Sequence, residues 1–293
     1  MLIAFLGSAV VGAMLGHGVL HPMLRPLTLQ LVQESKQVLQ ISGSTPEDFA
    51  VTAPDGVLLR GWKVRPPRAN MDWVLLFHGV SDNRTGMTGQ AALLLRHGYG
   101  VVMMDARAHG ESGGNMATFG WLERRDTQAI VDALSMTEKP RKLFALGSSM
   151  GAAIALQSAA VEPRIAGVVA ESSFSDLREV TFDYAGLHWS PWLGKTLFRP
   201  GTWTVISTAE KEGGFSVDEV SPEKSVTVRS FPVLLICDGS DHIIPCRHTV
   251  RIFRTATGPK DLWVAAGADH ASALGAYPAE YEKRVIRFLD NLR

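Results

Sequence analysis

An α/β fold, with a mostly parallel central sheet and helices on both faces, is what this sequence predicts past Pro46. Two observations carry it. Short apolar, β-branched runs alternate with amphipathic stretches of helical period, as they do when strands and covering helices follow one another. Each apolar run then ends in glycine or polar residues, where a strand would open onto a loop. With 293 residues, the chain is long enough to bury a sizeable core.

Taken in order, "DFAVTAPDGVLLRGWKVRPP" reads as two antiparallel strands about a Pro-Asp-Gly turn, closed by Pro66 and Pro67. The later strands are "WVLLFHG", "GVVMMDARAHGES", "KLFALGSS", "IAGVVAESS", "FPVLLICDGSD" and "DLWVAAGADH". Between them Thr88 to His97, Leu122 to Met136, Met150 to Val161, Cys246 to Thr255 and Tyr277 to Leu292 have helical periodicity. In an open α/β sheet, ligands lie beyond the carboxyl ends of the strands, and the chemically interesting residues here fall at those ends.

Residues 172–230 break the rhythm. This stretch is too long for a plain connection and carries Phe182, Tyr184, Trp189, Trp192, Phe198 and Trp203, so a helical lid insertion is expected. Most of these aromatics are expected to glue the insertion to the body, with one or two lining a pocket. The chain then divides into an N-terminal hydrophobic helix and linker 1–45, an α/β core of 46–171 and 231–293, and the lid 172–230.

Lys plus Arg and Asp plus Glu balance at 29 each, so no overall field favours nucleic acid, and none is expected as a partner. Cys237 and Cys246 flank one loop and read as buried free thiols, with a disulfide as the alternative in an exported protein. No C-x-x-C spacing occurs and the nine histidines are scattered, so neither a metal nor a cofactor is expected. Residues 2–20 are apolar, short for a full span and interrupted by glycines and His17. They read as an uncleaved anchor, a cleaved signal, or a helix lying at an interface or on the body; membrane association or export is therefore expected.

The stretch "LFALGSSMGAAIAL" carries the chemistry. A nucleophile on a sharp strand-to-helix turn needs small residues two positions before and two after it. Ser149 has Gly147 and Gly151 there, whereas Ser148 has Leu146 and Met150. The helix that follows offers free N–H groups and a dipole favouring negative charge. A serine hydroxyl also needs a base, itself oriented by a third group. "CDGSDHIIP" supplies Asp238 and Asp241, and "GADHA" supplies His270. The Met150 N–H, just after the serine, is one donor for an oxyanion.

Through "HGVSDNR", "DARAHGESGG", "GSSMG", "DGSDHIIP" and "GADHA", in this order, the chain resembles the α/β-hydrolase superfamily over about 49–292. The nearest branch is that of serine esterases and serine aminopeptidases with a membrane-proximal amino terminus. The resemblance implies an α/β-hydrolase fold, Asp241 rather than Asp238 as the acid, and Val80 N–H as the second oxyanion donor. It implies structural roles for His78, Asp105, Arg107 and His109. Ala108 departs from the family pattern, which has glycine there. His270 is preferred as base over His242, too close to Asp241, and over His248, read as a surface residue; Asp269 reads as a solvated loop residue.

The expected activity is cleavage of small carboxylic esters through an acyl-enzyme on Ser149. A serine peptidase or thioesterase with the same triad is the alternative, and a non-catalytic interaction module a more distant one. A peptidase would display a carboxylate for the substrate amine, for which Glu171 and Asp176 are the candidates. Serine at the turn disfavours chemistry that needs an aspartate nucleophile.

Overall fold

A computed structural model describes residues 14–41, 43–185, 191–196 and 198–293. Eight strands form one sheet: β1 (Pro46–Thr52), β2 (Leu58–Val64), β3 (Asp72–Phe77), β4 (Gly100–Met104), β5 (Lys142–Ser148), β6 (Ile165–Glu171), β7 (Val233–Asp238) and β8 (Lys260–Ala265). Their order is β1-β2-β4-β3-β5-β6-β7-β8. The pairs β1/β2 and β2/β4 are antiparallel and the rest parallel, so the leading hairpin forms one edge of the sheet.

Helices α1 (Leu29–Ile41), α2 (Thr88–Arg96), α3 (Glu123–Thr137), α4 (Met150–Val161), α9 (Arg247–Thr255) and α11 (Pro278–Asp290) belong to the core and its approach. The short helix α10 (Ala273–Ala276) precedes α11. Five of these match the expected helices to within two residues at each end. The sixth, α1, occupies the stretch read as linker after the hydrophobic helix; it has no acidic residue in its first turn and no basic one in its last.

Alternate residues of the strands face opposite ways. Val74, Leu76, Phe144, Leu146, Leu234 and Ile236 pack with Leu94, Tyr281, Val285 and Leu289 on one face. Trp73, Leu75, Ala145, Val168, Val233 and Leu235 pack with Ile130, Leu134, Leu156 and Ile252 on the other. Tyr281, Val285 and Leu289 are four residues apart, and this stripe explains why α11 lies flat on the sheet.

The insertion contains α5 (Leu177–Ala185), α6 (Pro191–Lys195), α7 (Arg199–Gly213) and α8 (Pro222–Val228). Its own cluster joins Phe174, Leu177, Val180, Ile206 and Phe215 to Ala153 of α4. Aliphatic side chains and these two phenylalanines therefore hold it to the body. Of the aromatics singled out above, only Phe182 packs against that cluster, while Trp192, Phe198 and Trp203 are exposed. The expectation that most of them serve as glue is not met, and Trp189 lies outside the described residues.

The leading apolar segment is only partly described. Residues 14–20 are helical and Leu20 is fully buried in the insertion's cluster. Gly16 approaches α7 so closely that a Cβ would lie 2.6 Å from the Val205 carbonyl oxygen. Among the described residues, no helix is long and apolar enough to cross a membrane.

Candidate active site

Strand β5 delivers Ser148 to its end, and the chain reverses at Ser149, with φ 55° and ψ −120°, before α4 begins at Met150. This backbone is strained for a residue with a Cβ. The glycine frame explains how it fits: a Cβ on Gly147 would lie 2.2 Å from the Gly151 carbonyl oxygen. One on Gly151 would lie 2.0 Å from that of Phe77. Left-handed backbone at non-glycine residues recurs at the strand ends, at Ser81 after β3, Ala108 after β4, Ser172 after β6 and Ala271 after β8. Strain of this kind concentrates where surrounding structure over-determines a site.

His270, from the loop after β8, brings Nε2 to 2.8 Å from Ser149 Oγ. Its Nδ1 lies 2.7 Å from Asp241 Oδ2, and the other Asp241 oxygen accepts from the Ile243 and Ile244 amides at 2.8 and 2.7 Å. Burial would push the Asp241 carboxyl up. The His270 contact and the backbone amide of Ile244 outweigh it, so the group is held below the usual carboxylate range. Asp238, the other acid in the sequence motif, instead accepts from Ser172 Oγ at 2.6 Å. His242 and Asp269 are exposed.

The loop after β3 lies against this turn. A Cβ on Gly79 would be 3.6 Å from Ser149 Cβ, and Val80 packs with Met150 in one apolar cluster. His78 is buried; its Nδ1 lies 2.8 Å from the Gly79 carbonyl oxygen, and its Nε2 accepts from the Ala106 amide at 3.0 Å. It thus pins two strand-end loops together. Asp105 accepts from the Arg84 backbone and guanidinium, Arg107 donates two hydrogen bonds to Asp126, and His109 Nδ1 sits 2.8 Å from the Arg107 carbonyl oxygen. All three are braces. Ala108 has φ 58°, a conformation glycine adopts without strain.

Glu171 is wholly buried behind the turn. Its carbonyl accepts from Ser149 N at 2.9 Å; its carboxyl accepts from Ser148 Oγ at 3.3 Å and from Ala273 N at 2.9 Å. One side chain therefore links the serine's turn to the chain just beyond His270. Burial, reinforced by the negative charge of Asp238, pushes its carboxyl up to about 8.

Two further arrangements differ from the preferred sequence reading. His248 is buried rather than on the surface: Nδ1 lies 2.9 Å from Ser175 Oγ and Nε2 2.6 Å from Asp183 Oδ2, and Asp183 also pairs with Arg247. This second Ser-His-Asp set joins α9 of the core to α5 of the insertion. Cys237 and Cys246 are joined as a disulfide, with Cα atoms 5.4 Å apart, not left as free thiols. The strand end and the start of α9 bring them together across nine residues, which is the alternative that the loop between them had offered.

The sheet order, the turn at Ser149 and the placing of His270 decide the fold. The chain has the α/β-hydrolase fold. Residues 68–205 of this α/β-hydrolase match the family model described as serine aminopeptidase, S33. An uncharacterized protein, YqkD of Bacillus subtilis, is 28% identical over 249 residues, covering 83% of this chain and 79% of its own. The Pyrococcus furiosus esterase Pf2001 superposes with a TM-score of 0.72 at 24% identity, over 94% of this chain and 97% of that one. An acylaminoacyl peptidase of Pyrococcus horikoshii superposes at 0.63 and 15% identity, over 84% of this chain and 41% of its own. The α/β-hydrolase described here is an enzyme of the serine-hydrolase type.

Proposed function

We propose that the enzyme cleaves small carboxylic esters through an acyl-enzyme on Ser149. The observation that carries this reading is the unbroken chain Ser149 Oγ to His270 Nε2 at 2.8 Å and His270 Nδ1 to Asp241 at 2.7 Å. His270 takes the serine proton as Oγ attacks the carbonyl carbon, and passes it to the departing alcohol. Asp241, ionised, holds the imidazole's orientation and stabilises its positive form. The oxyanion accepts from the Met150 and Val80 amides, each contributing about 2.7 to 4 kcal/mol by analogy with measured donors. Water, deprotonated by His270, then attacks the acyl-enzyme; the acid leaves and Ser149 regains its proton.

The family description raises a peptidase as the second reading. An enzyme that trims free amino termini needs a carboxylate facing the substrate. Glu171 is wholly buried, and Asp176 Oδ1 accepts the Glu179 amide at 2.7 Å as a helix cap. Neither is turned to a substrate amine, which supports ester over aminopeptidase specificity. The exposed Trp192, Phe198 and Trp203 support the reading of the insertion as an apolar lid that receives aliphatic or aromatic acyl groups. Residues 2–20 are proposed to bring the enzyme to a membrane or to export, with the exposed Met14 and Leu15 in support.

Fluorophosphonate labelling together with a panel of p-nitrophenyl esters of graded acyl length and amino-acid p-nitroanilides tests this. Labelling of the wild type, its loss in Ser149→Ala and faster turnover of esters are expected. Amides cleaved in preference to esters would replace the reading with the peptidase one, and an unlabelled folded wild type would overturn both.

A further inference from the structure

We propose that His17, His21 and Glu212 form a binding site for a divalent transition ion of the zinc class, which ties the leading segment to helix α7 of the insertion. The three side chains come from two elements distant in sequence. The His21 N–H donates to the His17 carbonyl at 3.1 Å, so the two histidines lie one helical turn apart on the same face. Their rings stack with centroids 4.1 Å apart. Both direct a nitrogen at one carboxylate: His17 Nδ1 lies 3.0 and 3.1 Å from the two Glu212 oxygens, and His21 Nε2 lies 2.7 Å from Oε1.

Each residue offers one ligand atom, and these atoms lie within 4.8 Å of one another. Zinc bonds to imidazole nitrogen and carboxylate oxygen at about 2.0 to 2.2 Å, so neighbouring ligands of a tetrahedron stand about 3.3 Å apart. The nitrogen-to-carboxylate spacings of 2.7 to 3.1 Å lie close to that value, and the two nitrogens, within 4.8 Å of one another, need only draw together around the ion. The frame is already built, because Gly16 is pressed against α7 and Leu20 is buried beneath it. An ion would thus join surfaces that already touch. His17 is exposed, which leaves a fourth position open to water.

Two imidazoles and one carboxylate select borderline ions such as zinc, nickel or copper over magnesium and calcium, which take oxygen ligands. The coordinating nitrogens must be free of protons, so each ring carries its proton on the other nitrogen when the ion is bound, and acid displaces the ion. None of the three residues belongs to the Ser149 site, so the proposal stands independently of the ester reading.

The full chain, purified without a histidine tag, is titrated with zinc against a chromogenic chelator. One equivalent bound per chain is expected. His17→Ala, His21→Ala and Glu212→Gln should each weaken it by at least about tenfold, and millimolar magnesium should not compete. Zinc should raise the unfolding temperature of the wild type and not of the His17→Ala/His21→Ala double variant. Retained fluorophosphonate labelling or native circular dichroism reports that the variants fold. No stoichiometric binding by the wild type, or wild-type affinity in the folded double variant, would overturn the site.

Discussion

Among the described residues, two sets of serine, histidine and aspartate have nearly the same hydrogen-bond lengths, and the set at Ser149 is the one we propose for chemistry. In Ser149–His270–Asp241 the contacts are 2.8 and 2.7 Å; in Ser175–His248–Asp183 they are 2.9 and 2.6 Å. The first has its serine on a strained turn at the start of a helix, with His270 partly open to solvent. The second is sealed, its three residues each at most 2% exposed, and its imidazole is reversed, with Nδ1 toward the serine. Residue types and distances do not make a nucleophile; access, backbone presentation and amide donors beside the serine do.

The comparison would break most visibly at the serines. Ser149→Ala is expected to lower ester turnover by at least about a thousandfold, with the fold intact by circular dichroism. Ser175→Ala should keep fluorophosphonate labelling. The opposite pattern would reverse the assignment of the two sets.

A second test moves to the sealed histidine. His248→Ala leaves Asp183 buried with Arg247 alone and should cost about 2 to 3 kcal/mol of stability in urea denaturation. The labelling rate of the folded fraction should change little, because this set latches the insertion.

Glu171 sharpens the contrast in pH. Its carboxyl is raised above the ordinary 4.5 to about 8 by burial, so the folded protein holds a proton there that the unfolded chain releases. Its contribution to stability is complete below about 4.5, falls as the pH rises, and is gone above about 8. Stability of Glu171→Gln measured across this window should decline less than that of the wild type. An unchanged slope would show the carboxyl to be ionised in the fold.

The smallest expected effect is at Ala108. Ala108→Gly relieves a positive φ but adds freedom to the unfolded chain, so the net change should stay within about 0.5 kcal/mol by denaturant titration.

Much of this architecture could be read in the sequence, because strand runs, glycine turns and helical stripes are local. Ser149 was legible through its glycine frame, and His270 through its place after the last strand. The Asp183–His248 contact spans 65 residues and the His17–Glu212 contact 195, and no local pattern marks either. The reading of His248 as a surface residue failed for the same reason: α9 shows which face is apolar, not that a carboxylate from the insertion covers its first turn. Helix α1 was missed because neither end carries the charges that mark helix termini.

The close approach at Gly151 also bears on how this enzyme can vary. Its missing side chain lets the end of β3 rest on the start of α4, so the loop bearing Val80 and the turn bearing Ser149 are spaced by direct backbone contact. A methyl group there would displace both proposed amide donors and the nucleophile together. The turn and its neighbouring loop can therefore change only as a unit.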